Sequence, residues 1–499
     1  MPIAPSDDIG MKAGAMPDGG AAASAVPRRD WTALLALALV LRLVAAWQES
    51  VLHPDEVFQY LEGAFRLLHG YSVVTWEYRD GMRGDLYPAL LALPMRLGEW
   101  IAPDGSLTIW LPRTMMAILS LSIVAAAGVI GARVSRLHFW AAGLIAACWP
   151  DLVAFAPHPL TEQMAALLAA PAIALLGLPG RSARQLTVIG AAVGLAVVFR
   201  PHVAPALALG LLVHVWRAGP RSLWPLVAGG LVGLAIGAVS DVAGGHWPFE
   251  WLVHNVDRNI VDNVSARYGV SGPFQYAVDL LALWGLWTAP ILVLATLGAR
   301  RYPLLAVVAI ANILIHSAIG HKEYRFIILS VTAIILLAGI GTGDAIAALR
   351  AQRGRQGWRV TLVLGAGWLA AATYVAPALY HLGGRVVTPF SAAASDRLRA
   401  KPGLCGMAVV GNRVFRVYGY ARLQRRVPIF VQAPGDPRVD PAQFNAALVW
   451  KGHADALTPD FRATTCSADG SQCVYERPGG CSAATSRAEI NRYLADRGM

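Results

Sequence analysis

Hydrocarbon offers no partners for backbone N–H and C=O groups, so a chain crosses a bilayer only as helices or as a closed barrel. This sequence carries a succession of apolar stretches near 31–48, 108–131, 138–155, 160–178, 185–199, 202–216, 223–243, 277–297, 303–319, 326–348 and 360–380. Each approaches the roughly 17–25 residues a spanning helix needs, which predicts an all-α polytopic membrane protein with about eleven transmembrane helices. Composition agrees. Of 499 residues 56% are hydrophobic and 15% charged, against about 25% charged in an average soluble domain.

The basic residues give direction. Arg28/Arg29, Arg133/Arg136, Arg181/Arg184, Arg217/Arg221, Arg300/Arg301 and Arg350/Arg353/Arg355/Arg359 occupy every second connection, and the positive-inside rule assigns those connections to the cytoplasm. The net charge of +11 is spread along these connections and forms no single patch, so no nucleic-acid partner is expected. Residues 1–30 read as a disordered cytoplasmic lead. The run from Trp31 to Trp47 has no convincing small-residue cleavage site after it, and is read as a retained first helix. The Ala/Arg-rich composition, and an Arg497-Gly498-Met499 end without a retention signal, point to a bacterial inner membrane with a cytoplasmic N-terminus and a periplasmic C-terminal domain.

The transmembrane unit should cover 31–380, with two long external loops at about 49–107 and 244–276. Val57, Phe58, Leu61, Phe65 and Leu68 recur at helical spacing, which predicts an amphipathic helix lying in the membrane surface with its apolar face down. Beyond His381, short β-like runs (Gly406–Val410, Val427–Val431, Ala446–Trp450, Cys473–Glu476) alternate with Gly, Pro and charged residues, as in a small soluble external α/β domain over 381–499. Cys405, Cys466, Cys473 and Cys481 fall there. Four cysteines in an external domain allow two disulfides in any of three connectivities, or free thiols. Cys148 lies in a helix and reads as packing.

Few polar clusters stand out on this background. His53-Pro54-Asp55-Glu56 follows the first helix, and its carboxylates could serve as a general base. Asp55 could equally cap the helix that follows. His321-Lys322-Glu323-Tyr324-Arg325-Phe326 sets several potential cations on the external side, with His321 and Arg325 on one helical face. Such a cluster needs an anionic partner, for which phosphate is apt, or else it snorkels at the interface. Arg200 likewise breaks the charge rule, as a phosphate ligand or an ordinary helix-end Arg. Arg42, inside the first helix, costs about 2.5–3.5 kcal/mol unless it meets a partner or cavity, and it receives no catalytic role. Trp76, Glu77, Trp251, His254, Asn255, Asn259, Tyr268 and Tyr276 suit sugar stacking and hydrogen bonding, or loops packing on themselves. No Walker lysine motif, dinucleotide turn or metal-ligand spacing is present, so neither cofactor nor metal is expected.

HPDEVFQYLE and TWEY in the first loop, together with HKEYRF after the ninth apolar run, resemble glycosyltransferase family 22, which contains the dolichyl-phosphate-mannose-dependent mannosyltransferases of N-glycan and glycosylphosphatidylinositol assembly. FRP at 199–201 and HN…SARYG…PFQY across Val253–Tyr276 add to the resemblance, with Glu162 a looser match. It extends over about Asp30 to Ala348. TWEY stands where the family has TWEW, Arg83 falls in GMRGD where relatives more often have RS, and the region after His381 is only weakly similar.

The resemblance implies a GT-C fold and an inverting transfer of mannose from a polyprenyl-phosphate donor to a lipid-linked or glycan acceptor at the outer membrane face. Asp55 would be the base and Glu56 its support. Arg325, Lys322, His321 and Arg200 would bind the donor phosphate, and His53, Trp76, Glu77, His254, Asn255 and Tyr268 the substrates. The same fold with another polyprenyl-phosphate sugar is an alternative. So is a lipid or glycan flippase, although a transporter would more often carry its charges at mid-membrane.

Overall fold

The computed structural model describes residues 26–382, 387–411, 414–482 and 486–499. Most of the expected lead lies outside these residues. The first helix, Arg28–Trp47, takes in the last three residues of that lead. Every apolar run noted above is helical. Among the described residues, six helical segments are long and apolar enough to cross a membrane: Arg28–Trp47, Leu107–Ala132, Pro220–Ala243, Gln275–Ala299, Tyr324–Arg353 and Gly357–Leu379. Arg136–Cys148, Thr161–Leu176, Ala183–Phe199 and Pro303–Ser317 are apolar but shorter. Trp216, Trp224 and Trp358 lie exposed beside the arginine-bearing turns, and Trp47, Trp100 and Trp247 toward the opposite end, as interfacial belts require.

Between helices in lipid the hydrophobic effect is weak, so association relies on close packing through small residues. Ala183–Phe199 and Leu223–Ala243 pack in this way. A methyl group added at Gly229 would stand 1.9 Å from the Thr187 carbonyl oxygen. Thr288–Ala299 meets Ile328–Arg353 similarly, with Gly341 against the Leu294 carbonyl. The helix Ile328–Arg353 is buried along most of its length at the centre of the bundle. Arg42 is fully buried and finds the partner its position demands: its Nε donates to Ser120 Oγ at 2.8 Å, and its terminal nitrogens to the Ala147 and Ala146 carbonyls at 3.1 and 3.2 Å. Those carbonyls stand free because Pro150 interrupts the helix there.

The first external loop differs from expectation. Residues Glu56–Leu61 form a π-helical turn that continues into the helix Glu62–His69. Val57, Phe58, Leu61 and Phe65 are buried in protein and do not face lipid. The segment that carries them packs mainly on the helix Leu86–Ile101, and the C-terminal domain covers part of it, as where Phe58 packs edge-on against Phe415 at 5.2 Å. The helix that does expose apolar side chains is Leu86–Ile101, through Leu93, Leu97, Trp100 and Ile101.

The C-terminal domain is a five-stranded mixed sheet of β1 (Met407–Val410), β2 (Ile429–Gln432), β3 (Ala446–Trp450), β4 (Arg462–Cys466) and β5 (Gln472–Glu476), in the order β2-β1-β3-β5-β4. β1 pairs parallel with both neighbours, while β5 runs antiparallel to β3 and β4. The strand β4 was not anticipated. Disulfides join Cys405 to Cys481 and Cys466 to Cys473, the second across the β4–β5 pair. Cys148 is exposed, contrary to the packing role expected of it. The domain is tied to the loops around the site. Glu62 accepts from the Val73 and Ala421 N–H groups at 2.7 and 2.6 Å, and Arg422 pairs with Glu49 at 3.0 Å.

Candidate active site

Four helix ends converge on one cavity of about 250 Å³. The segment following Arg28–Trp47 brings His53 and Asp55, and the first turn of Thr161–Leu176 brings Glu162. Arg200 caps Ala183–Phe199, and the 3₁₀ turn Tyr324–Ile327 delivers Arg325 ahead of the central helix. Helix ends are where backbone groups lack intrahelical partners and polar side chains are at home. Glu162, in a helix's first turn, also meets the favourable end of its dipole.

Arg325 is the hub. Its Nη1 lies 2.8 Å from Asp55 Oδ2 and 3.1 Å from Glu162 Oε1, and its Nε 2.5 Å from Glu323 Oε2. Arg200 reaches the same Glu162 oxygen at 3.2 Å. Both guanidinium groups lie near the Phe326 ring, at 4.9 and 5.2 Å from its centroid. His53 bridges Asp55 and Glu323 at 3.2 Å each, and His321 Nε2 meets Glu323 Oε1 at 2.9 Å. Residues 321–325 therefore do not form the single helical face expected for His321 and Arg325. Glu323 is extended, and the two cations grip it from opposite sides.

The network sets the protonation states. Burial would raise the Asp55 carboxyl, but Arg325 and His53 hold it well below the usual carboxylate range. Burial and Arg325 push His53 down, yet the Asp55 and Glu323 carboxylates outweigh them and raise it to about 9. Glu323 is held low against its burial by Arg325, His321 and His53. Glu77, by contrast, is raised by burial. Its Oε1 accepts from Gln59 Nε2 at 2.7 Å while its buried Oε2 has no partner.

Asp55, His53, Trp76, Glu77, Asn255, Tyr268, Arg200, His321 and Arg325 all line the cavity. Asp55 stands at the N-terminal boundary of the π-helical turn without making a side-chain cap bond, so its carboxylate is committed to the cavity. Three other candidates lie elsewhere. Glu56 is fully buried beside the cavity, where its Oε1 accepts from the Leu52 and His53 N–H groups at 2.7 and 3.0 Å and its Oε2 bonds His158 at 2.6 Å. It braces the loop and is absent from the cavity lining. Lys322 turns back onto the Ser271 and Ile319 carbonyls, because the extended residue after it points alternate side chains to opposite sides. His254 packs under Gly81.

Sequence reasoning passed over Gln59, Arg83, His202, His316 and Glu323, which also line the cavity, and gave Glu162 too little weight. Glu323 was legible as the anion within a run of cations. Gln59, His202 and His316 lie in apolar surroundings that gave no signal. The Arg325 guanidinium stands between the Asp55 and Glu162 carboxylates. The cavity thus joins an ionised carboxylate, several guanidinium groups and an amide- and aromatic-lined wall, the parts needed to move a sugar off a phosphate.

Among known proteins, the chain is 26% identical over 288 residues to GPI alpha-1,2-mannosyltransferase 3 of Bos taurus, covering 55% of this chain and 52% of that relative. The Xenopus laevis counterpart is 28% identical over 55% of this chain and 53% of its own length. The match therefore spans about half the length of these relatives. In fold, the chain is similar to ArnT from Cupriavidus metallidurans solved with undecaprenyl phosphate, with a TM-score of 0.57 at 14% identity over 90% of this chain and 98% of the other. That is the GT-C architecture the motifs implied. Residues 32–383 match the model of the Alg9-like mannosyltransferase family, and the chain, a multi-pass membrane protein, belongs to that family.

Proposed function

We propose that this protein is an inverting mannosyltransferase that takes mannose from a polyprenyl-phosphate carrier and adds it to a hydroxyl of a lipid-linked or glycan acceptor. The observation that carries the reading is Asp55, an ionised carboxylate facing the same cavity as Arg83, Arg200 and Arg325. The acceptor hydroxyl attacks the anomeric carbon as its proton passes to Asp55. The bond from that carbon to the phosphate oxygen breaks through an oxocarbenium-like state. The phosphate leaves with the electron pair, gaining one negative charge, which fixed cations in a dry cavity stabilise without reorganising. Attack opposite the leaving group inverts the anomeric centre. No step calls for a metal, so a chelator should leave turnover unchanged.

The positive-inside rule, applied to the basic connections, supports a cavity on the non-cytoplasmic face. In a bacterial inner membrane this means a cytoplasmic N-terminus and a periplasmic C-terminal domain, where the disulfides would be stable. The relatives are named as GPI mannosyltransferases. For this chain, a lipid-linked or glycan acceptor is inferred from membership of the family.

The test uses the purified full chain in proteoliposomes, with synthetic polyprenyl-phosphate mannose, a panel of other polyprenyl-phosphate sugars, and extracted membrane lipids. Mass spectrometry should find a product one hexose heavier from the mannose donor, and NMR the opposite anomeric configuration. Retained configuration, or transfer from every donor except mannose, would overturn the reading.

A further inference from the structure

Arg200 and Arg325 look like the obvious phosphate ligands, but their surroundings argue against it. Arg325 stands among the carboxylates of Asp55, Glu162 and Glu323, and Arg200 shares Glu162. To bind either guanidinium, an approaching phosphate would have to displace an ion pair already made within that hub. Arg83 differs from both. Its side chain lines the main cavity and also a smaller one of about 50 Å³ that shares Arg200, His202 and Asn255 with it. Among the described residues it makes no ion pair, its Nε is buried without a partner, and Glu77 and Asp55 act on it only at longer range.

The loop that carries it is clamped on both sides. Met82 is fully buried against Trp76 and Val264. Gly81, at φ +65°, lies under His254, and Gly84 under Trp251, each too close for a side chain. The backbone on either side of Arg83 is therefore held in place before substrate arrives, and a cation presented from a fixed support is what preorganised stabilisation of developing charge requires.

We propose that Arg83 is the residue that receives the donor's phosphate, and that Arg325 is a positioning residue that holds Asp55 for proton transfer. This rests on the polyprenyl-phosphate reading above. Arg83 then takes the phosphate oxygens through paired N–H donors, while the sugar lies toward Asp55 and Gln59–Glu77. The base and the leaving group are served by separate guanidinium groups, so binding the phosphate does not disarm the base.

The experiment measures polyprenyl phosphate binding, without sugar, to the full chain in nanodiscs, alongside kcat and KM with the mannose donor. Arg83→Gln should bind polyprenyl phosphate at least tenfold more weakly than wild type, whereas Arg325→Lys should bind it within threefold while kcat falls at least tenfold. Arg83→Gln binding within threefold of wild type, or Arg325→Lys losing more affinity than Arg83→Gln, overturns the assignment. Should Arg83→Gln not fold, Arg83→Lys decides. It keeps the charge without the fork, so a loss of threefold or more sustains the proposal and unchanged affinity sinks it. A wild-type chain that binds no polyprenyl phosphate would instead refute the donor class, an outcome separable from either result for Arg83.

Discussion

Glu56 sits beside the proposed base in sequence, and its role can be separated from catalysis by two substitutions. Its side chain is 1% exposed, and its oxygens satisfy the Leu52 and His53 N–H groups and the His158 ring. Hydrogen bonds to a charged group contribute roughly 1.5–3 kcal/mol each. Glu56→Ala would orphan all three donors, and taking the lower end with some relaxation gives a loss of about 3–5 kcal/mol. Glu56→Gln behaves differently. Both backbone donors go to Oε1, which the amide oxygen reproduces. The amide NH₂ can face His158 Nδ1 once the ring carries its proton on Nε2.

The expected result is that Glu56→Ala lowers the unfolding midpoint by several degrees and loses turnover, because the loop that aims Asp55 is released. Glu56→Gln should retain both within about threefold of wild-type turnover. The assay is thermal unfolding in a fixed detergent, paired with initial rates from proteoliposomes. A Glu56→Gln protein with a normal midpoint but hundredfold lower turnover would refute the clamp and put Glu56 in the proton-transfer step.

Asp55→Asn should lower kcat by roughly 10²–10⁴-fold, the usual contribution of a general base, with polyprenyl phosphate binding preserved. Near-normal turnover would remove Asp55 from the mechanism. Glu62, which links the first loop to the C-terminal domain, is raised by burial from its ordinary 4.5 to about 7. Its protonated form is favoured in the folded state, so its contribution is fully present below pH 4.5 and lost as pH rises through about 7, on the order of 3 kcal/mol in all. Wild-type unfolding midpoints should therefore fall relative to those of Glu62→Gln across that window, and a constant offset would contradict this. Gly229→Ala would drive a methyl to within 1.9 Å of the Thr187 carbonyl. Separating those helices should cost about 1–3 kcal/mol, seen as a lower detergent unfolding midpoint. An unchanged midpoint would mean the helices do not pack this closely.

Much of this protein was legible without coordinates. Apolar length and the alternation of arginines are one-dimensional properties, so the helical runs could be read directly, and the β-like runs after His381 announced a second kind of structure. The HPDE and HKEYRF motifs named a carboxylate and cations that do share a cavity. Three-dimensional proximity decided the rest. Periodicity found the apolar stripe of Val57, Phe58, Leu61 and Phe65, but a stripe says only that something apolar covers it, and here that is protein, the helix Leu86–Ile101 together with part of the C-terminal domain.

Charge on paper likewise left open which cations were already neutralised. Lys322 is spent on backbone carbonyls and Arg325 on carboxylates drawn from three distant segments, while Arg83 remains free of ion pairs among the described residues. An ion pair depends on distances of a few ångströms between residues far apart in the chain. Sequence supplies the charges, and only the packing of helix ends determines which of them meet.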